Sequence, residues 1–207
     1  TNIWPLTLIS SLLSIVFRNK KFVLIEHCNI FDEFKYKGSF FILLMKASIL
    51  FLYGLNHKIV AVSDGVKNSL IRCNPFINKR TTVIYNPVRS NPVNRLHKDE
   101  KEFVEFKNYP HKKLIAVGSL NHQKNYPHLL RSLKKVKKEN IAFLCYIIGE
   151  GELFYETEAL IRELKLDDCV KCLGHKADPR EYIELSDLLI LSSFAEGFGL
   201  VLAEAMQ

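Results

Sequence analysis

The 207-residue chain is 48% hydrophobic, a globular composition able to bury a substantial core in one large domain or two small ones. Lys and Arg number 29 against 22 Asp and Glu, a formal charge of +7 that favours anionic partners: nucleic acid, an anionic membrane surface or a sugar nucleotide. Dispersed basic residues without a nucleic-acid-binding motif rank nucleic acid last, and five irregularly spaced cysteines make no disulfide framework, which fits a reducing cytoplasm.

In chain order, Ile3 to Phe17 reads as a buried or interfacial helix. It is too short for a membrane span, contains Pro5, and has Arg18, Lys20 and Lys21 after it, so no signal peptide is read. Lys21 to Glu26 is a strand, leaving Glu26, His27, Cys28 and Asn29 at its C-terminal end, where open α/β sheets place ligands. Residues 39–55 are very apolar, broken by Lys46 and closed near Gly54: a core helix by default, or a helix with one face on a membrane. His57 to Ala61 is a short strand, and Ser63 caps a helix that runs to about Cys73 and ends at Asn74-Pro75. Thr81 to Tyr85 is a strand ended by Asn86-Pro87.

Residues 89–112 are polar, charged and bounded by prolines, hence a linker between domains at 1–88 and 113–207, with a short helix around Asp99 to Lys107. The second domain then alternates strand 113–117, helix 126–139, strand 142–148, helix 153–165, strand 169–173, helix 179–186 and strand 187–191, the pattern of a parallel doubly wound sheet. Asp178-Pro179 marks the last of these helices as N-cap followed by N1 proline.

Several strand ends carry glycines or polar loops. Gly118 to Asn125 (GSLNHQKN) follows the first strand of the second domain, so that Lys124 reaches over the strand ends. Gly149-Glu150-Gly151 follows the second strand and Gly174-His175-Lys176 the third. After Leu188 to Leu191 comes SSFAEGFGLVLAEAMQ, a strand, glycine turn and helix in which Gly197 and Gly199 allow a close backbone approach and free first-turn amides face an anion. Glu196 and Glu204 bracket that turn, and carboxylates are good acceptors for paired sugar hydroxyls. Cys169, Cys172 and His175 have ligand-like spacing. An offset of three along a strand sends the two thiols to opposite faces, so small buried residues are the better reading than zinc. Arg131, Lys134, Lys135 and Lys138 form a basic stripe on helix 126–139, which reads as a solvated face.

E-G-F-G-L-V-L-A-E resembles the E-x7-E signature of retaining GT-B glycosyltransferases, family 4 (glycosyl transferases group 1), with AVSDGVKNSL and GSLNHQKN similar to further segments of that family. The resemblance implies a GT-B fold of two Rossmann-like parallel-sheet domains, both incomplete, since the chain stops at Gln207 within the helix after the motif; the expectation is a fragment, weak or inactive alone. It implies transfer of a sugar from a nucleotide-diphosphate donor to a glycan or lipid-linked acceptor with retention of configuration. His27 would lie near donor sugar and acceptor. Glu196 would contact the hexose, the amides of Phe198, Gly199 and Leu200 the diphosphate, and Glu204 the ribose. Lys124 and Asn125 match the phosphate loop that begins at Gly118, in which Ser119 replaces the family's usual arginine. Gly149 matches a second glycine turn, and His175 and Lys176 the nucleobase loop. No cofactor and no metal are expected, as there is no D-x-D. The implied setting is cytoplasmic, with peripheral contact at an anionic membrane as an option. The alternatives are a GT-B-fold sugar-nucleotide epimerase and a non-catalytic nucleotide-sugar-binding subunit.

Overall fold

The computed structural model describes residues 6–29, 38–88, 92–93, 96–97 and 99–207. Ile3 to Pro5 of the expected first helix and parts of the expected linker (89–91, 94, 95 and 98) lie outside the described residues. The chain forms two compact units: Thr1–Pro87 with Ala195–Gly199, and Val88–Phe194 with Leu200–Gln207.

The first unit is built on three parallel strands in the order β1 (Val23–Glu26), β2 (Lys58–Ala61) and β3 (Thr81–Val83). Helix α1 (Leu6–Val16) precedes them, α2 (Ser39–Phe51) connects β1 to β2, and α3 (Asp64–Cys73) connects β2 to β3. Both crossovers step the same way along the sheet, and right-handed connections therefore place α2 and α3 on one face. That face closes over Leu24, Met45, Ile49, Tyr53, Ile59 and Leu70, all fully buried. Ser63 caps α3 as expected, its hydroxyl accepting from the Val66 amide.

A buried polar relay sits beside this core. Glu26 at the end of β1 accepts from the Tyr53 hydroxyl at 2.6 Å, and that hydroxyl also bonds Thr7 of α1 at 2.8 Å. Burial first, and then the Glu26 charge, push the Tyr53 phenol well above the usual tyrosine range.

Strands of the second unit run β6-β5-β4-β7, all parallel: β4 (Lys112–Val117), β5 (Phe143–Ile148), β6 (Val170–Cys172) and β7 (Leu188–Leu189). Its helices are α4 (Lys101–Asn108), α5 (Tyr126–Lys138), α6 (Phe154–Glu163), α7 (Arg180–Leu185) and α8 (Leu200–Ala205). Every residue of β5 is buried. Its alternation divides the core: Phe143, Cys145 and Ile147 face α5 and α6, whereas Leu144, Tyr146 and Ile148 pack with Phe103 and Phe106 of α4 and with Tyr182 of α7. The sheet is therefore doubly wound. The strand order grows one way through β5 and β6 and the other way through β7, so β4 marks the reversal, the place where such sheets bind ligands beyond the carboxyl ends of their strands.

The paired part of β7 is two residues against an expected run of five, because only β4 flanks it among the described strands; Ile190 still donates to the Ile115 carbonyl at 2.7 Å. Asp178 is spent on the side chain and amide of Arg180, and α7 begins one residue later than the proline reading placed it.

Asn74, buried just past α3, ties that helix to α2. Its amide donates to the Ile49 and Leu50 carbonyls at 3.0 and 2.9 Å, and its oxygen accepts from the Phe76 amide at 3.1 Å. Asn74→Ala leaves these backbone groups without partners and is expected to lower unfolding free energy by roughly 1–3 kcal/mol, measured by urea titration.

Candidate functional site: a glycine-lined cleft at the strand ends

The loops after β4, β5 and β6 are stitched together through their backbones. Gly118 donates to the Ile148 carbonyl at 3.0 Å, Leu120 to Glu150 at 2.9 Å, Leu153 back to Leu120 at 3.0 Å, and Gly149 to Gly174 at 2.9 Å. So close an approach excludes side chains. A Cβ on Gly149 would lie 2.1 Å from the Gly118 carbonyl oxygen, and one on Gly151 would lie 2.3 Å from that of Leu120. Gly149 also has φ 146°, which other residues seldom adopt.

This stitching shapes a cleft of about 370 Å³ whose lining includes Gly118, Ser119, Gly149, Glu150, His175 and Lys176. Five residues singled out from the sequence thus share one concavity. Lys124 and Asn125 stand on the adjoining loop. The Lys124 stem passes over Gly118, its Cε 3.1 Å from where a Cβ would be, and Asn125 adopts the left-handed conformation (φ 51°) that turns the chain into α5. Strand-end residues beyond β7 hold this loop in place: the Ser192 hydroxyl donates to the Lys124 carbonyl at 2.7 Å and the Phe194 amide to that of Gln123 at 2.9 Å. Tyr126 closes the loop by donating to the Gly118 carbonyl at 2.9 Å.

One functional contact escaped the sequence reading. Lys176, on the cleft wall, is ion-paired to Glu100 just ahead of α4. Glu100 also accepts from the Tyr182 hydroxyl at 3.2 Å and bonds His97 Nδ1 at 2.8 Å. Burial alone would raise this carboxyl, but Lys176 and His97 outweigh it and hold it at about 2. Glu100 therefore fixes the Lys176 ammonium and, through it, the wall of the cleft. Burial first, then the Glu100 charge, push the Tyr182 phenol above the tyrosine range.

The motif Glu196 to Glu204 is shared between the units. Residues 195–199 belong to the first and residues 200–207 to the second. In the first unit Gly197 lies against the chain leaving β1, where a Cβ would fall 1.7 Å from the His27 carbonyl oxygen. The Phe198 ring meets Tyr85 at 5.7 Å and 40°. Gly199 has φ 64°. In the second unit Leu200 opens α8, Val201 packs against the α4–α7 core, and half-buried Glu204 adds its negative charge to the surroundings of Arg180 after that of Asp178. His27 is exposed and Glu196 half-buried.

Cys145, Cys169 and Cys172 sit in the α5–α6 core of the second unit or beside it, whereas Cys73 packs against the core of the first. Cys145 and Cys169 are buried, and burial pushes the Cys169 and Cys172 thiols up to about 11 and about 12. Among the described residues no group of three His, Cys, Asp or Glu side chains is placed to hold a metal.

Comparison with known proteins bears on this arrangement. The family model described as Glycosyl transferases group 1 matches residues 97–207. The chain is 28% identical over 196 residues to an N-acetylgalactosamine-N,N'-diacetylbacillosaminyl-diphospho-undecaprenol 4-alpha-N-acetylgalactosaminyltransferase of Campylobacter jejuni, covering 95% of this chain and 51% of the relative. It is 30% identical over 156 residues to the amylovoran biosynthesis glycosyltransferase AmsD of Erwinia amylovora, covering 75% and 42%. The chain spans about half the length of these curated relatives. Its fold matches the crystal structure of Anabaena Alr3699/HepE in complex with UDP at a TM-score of 0.72 and 20% identity, covering 97% of this chain and 54% of that one.

Two outcomes are expected. Gly149→Ala forces the β4 and β5 loops apart and is expected to cost roughly 1–3 kcal/mol or more, with weakened amide protection at Gly118 and Leu120 by hydrogen exchange. The ionised Glu100 contributes stability above the ordinary glutamate range, and that contribution is lost as pH falls through it towards the folded value of about 2. Urea midpoints of wild type and Glu100→Gln are therefore expected to differ at pH 7 and to converge between about pH 4.5 and 2.

Proposed function

The chain belongs to the glycosyl transferases group 1 family and has the α/β GT-B architecture, and on that premise we propose that it moves a hexose from a nucleotide-diphosphate donor to a glycan or lipid-linked acceptor with retention of configuration. The observation that carries this reading is the stitched glycine cleft, in which a lysine-bearing loop and a polar third loop meet at the sheet's reversal point. Backbone lined by glycine can come close to a pyrophosphate, and the polar rim of His175 and Lys176 suits a nucleobase and sugar. The relatives' names support the acceptor class: one acts on a diphospho-undecaprenol-linked saccharide, and the other serves amylovoran biosynthesis.

In this reading the bond between the donor's anomeric carbon and its phosphate oxygen breaks, and a bond from that carbon to the acceptor oxygen forms on the same face. The acceptor hydroxyl's proton passes to the departing diphosphate oxygen, on which negative charge builds as its bond to the anomeric carbon breaks. Lys124 and the amides of Phe198, Gly199 and Leu200 stabilise that charge in place of a divalent metal. Glu196 orients the hexose, Glu204 the ribose, and His27 lies at the acceptor side; none of these is assigned as a nucleophile. Ser119 supplies a hydroxyl where related loops carry a second cation, and this favours one rival, a nucleotide-sugar-binding subunit without turnover.

Calorimetric titration with UDP, GDP and their sugars tests the donor site. Binding is expected, and Lys124→Ala and Glu204→Ala are each expected to weaken it roughly 10- to 150-fold, the equivalent of one charge-assisted hydrogen bond. A folded chain that binds none of these nucleotides overturns the assignment. NMR of the products then separates the readings: a new linkage of the donor's anomeric configuration is expected, whereas inverted product or an epimerised nucleotide sugar excludes it, as does binding without turnover by a protein that spans the relatives' full length.

A further inference from the structure

Two opposite charges share the cleft of the second unit and are not paired with each other. Lys176 takes Glu100, from the segment ahead of α4, as its partner, while the Glu150 side chain has no hydrogen-bond or ion-pair partner among the described residues. Glu150 Oε1 stands over the root of the third loop, 3.9 Å from where a Cβ on Gly174 would be. The Lys176 side chain is only 16% exposed, and its ammonium spends one N–H on Glu100 and keeps the others. A ligand lying towards the third loop therefore meets an open acceptor and a cation with donors to spare.

Both groups stand on fixed supports. The Glu150 carbonyl accepts from the Leu120 amide at 2.9 Å, and Gly149 donates to the Gly174 carbonyl at 2.9 Å, so the loop bearing the carboxylate is tied to the loop bearing the lysine. Glu100 keeps its own place through His97 Nδ1 at 2.8 Å and the Tyr182 hydroxyl at 3.2 Å.

The chemistry required of a ligand changes along the cleft. Where the β4 and β5 loops meet, Gly118 and Gly149 leave room for a pyrophosphate, but the carboxylate of Glu150 would repel one. Glu150 and Lys176 together suit an edge that presents an N–H beside a C=O. Uracil and guanine carry that lactam edge. Cytosine and adenine carry the reverse, a ring nitrogen lone pair that would face Glu150 and an amino group that would face Lys176, and each mismatch leaves a polar group unpaired. We propose that Glu150 and Lys176, the latter positioned by Glu100, select a nucleobase with a lactam edge, so that the donor is a uridine or guanosine diphosphate sugar. This rests on the donor reading above and extends it to the base.

Calorimetric titration of the chain with two matched pairs, UDP against CDP and GDP against ADP, tests it. Within a pair that binds, the lactam member is expected to bind roughly 5- to 150-fold more tightly, the span of one bidentate base contact. Lys176→Met and Glu150→Leu are each expected to remove most of that ratio, and Glu100→Gln to lower it by a smaller factor. A disturbed cleft weakens both members of a pair alike, so the ratio separates base reading from a structural role. A wild-type ratio near one overturns the proposal, as does a ratio that survives any of Lys176→Met, Glu150→Leu or Glu100→Gln. Those outcomes leave the donor reading standing, whereas a folded chain that binds none of the four nucleotides overturns the donor reading and this proposal together.

Discussion

The second unit depends on how closely two backbones meet at Gly118 and Gly149. With a side chain at Gly149 the β4 and β5 loops could not both keep their paths, because its first carbon would fall 2.1 Å from a neighbouring carbonyl oxygen, far inside van der Waals contact. The approach lets four interloop hydrogen bonds form in register with the strands beneath, so that the cleft continues the sheet. Parallel pairing of β4 and β5 over six residues sets the height of both loops, and the loops in turn satisfy backbone groups that the strand ends would leave open.

Charge is then laid on this rigid base. Lys124 is carried on a loop pinned through its own carbonyl by Ser192, so the position of the ammonium follows from the strand end after β7. Lys176 is held by Glu100, whose other contacts, Tyr182 and His97, come from α7 and the segment ahead of α4. Both cations are positioned by groups that bring no bulk into the cleft. Supporting residues of this kind keep a binding site within a fraction of an ångström of its working geometry.

Much of this was legible in the chain itself, where its signals are local. The apolar runs of β4 and β5 and the Ser63 cap act through neighbouring residues, the glycines mark the turns at the strand ends, and the structure places Gly118, Ser119, Gly149, His175 and Lys176 around one cleft. What was not legible depends on distance along the chain. Glu100 sits in a polar stretch read as linker, and its partner Lys176 is 76 residues away. Nothing in the motif showed that residues 195–199 would group with the first unit, because Gly197 is needed for its fit against the backbone beyond His27. In α2, periodicity could not tell a core helix from one that leaves aromatic rings outside, since both read as an unbroken apolar run.

The burial of β5 on both faces has a consequence for the order in which the second unit comes apart. Its six residues lie between two parallel neighbours and beneath helices on either side, so their amides are freed only when the whole unit unfolds. Helix α8 has no fully buried residue and can open without disturbing that sheet. The walls at Gly118 and Gly149 thus share the lifetime of the folded unit, whereas the helix bearing Glu204 breathes on a shorter clock, and a ligand held by both would narrow that difference by slowing α8 alone.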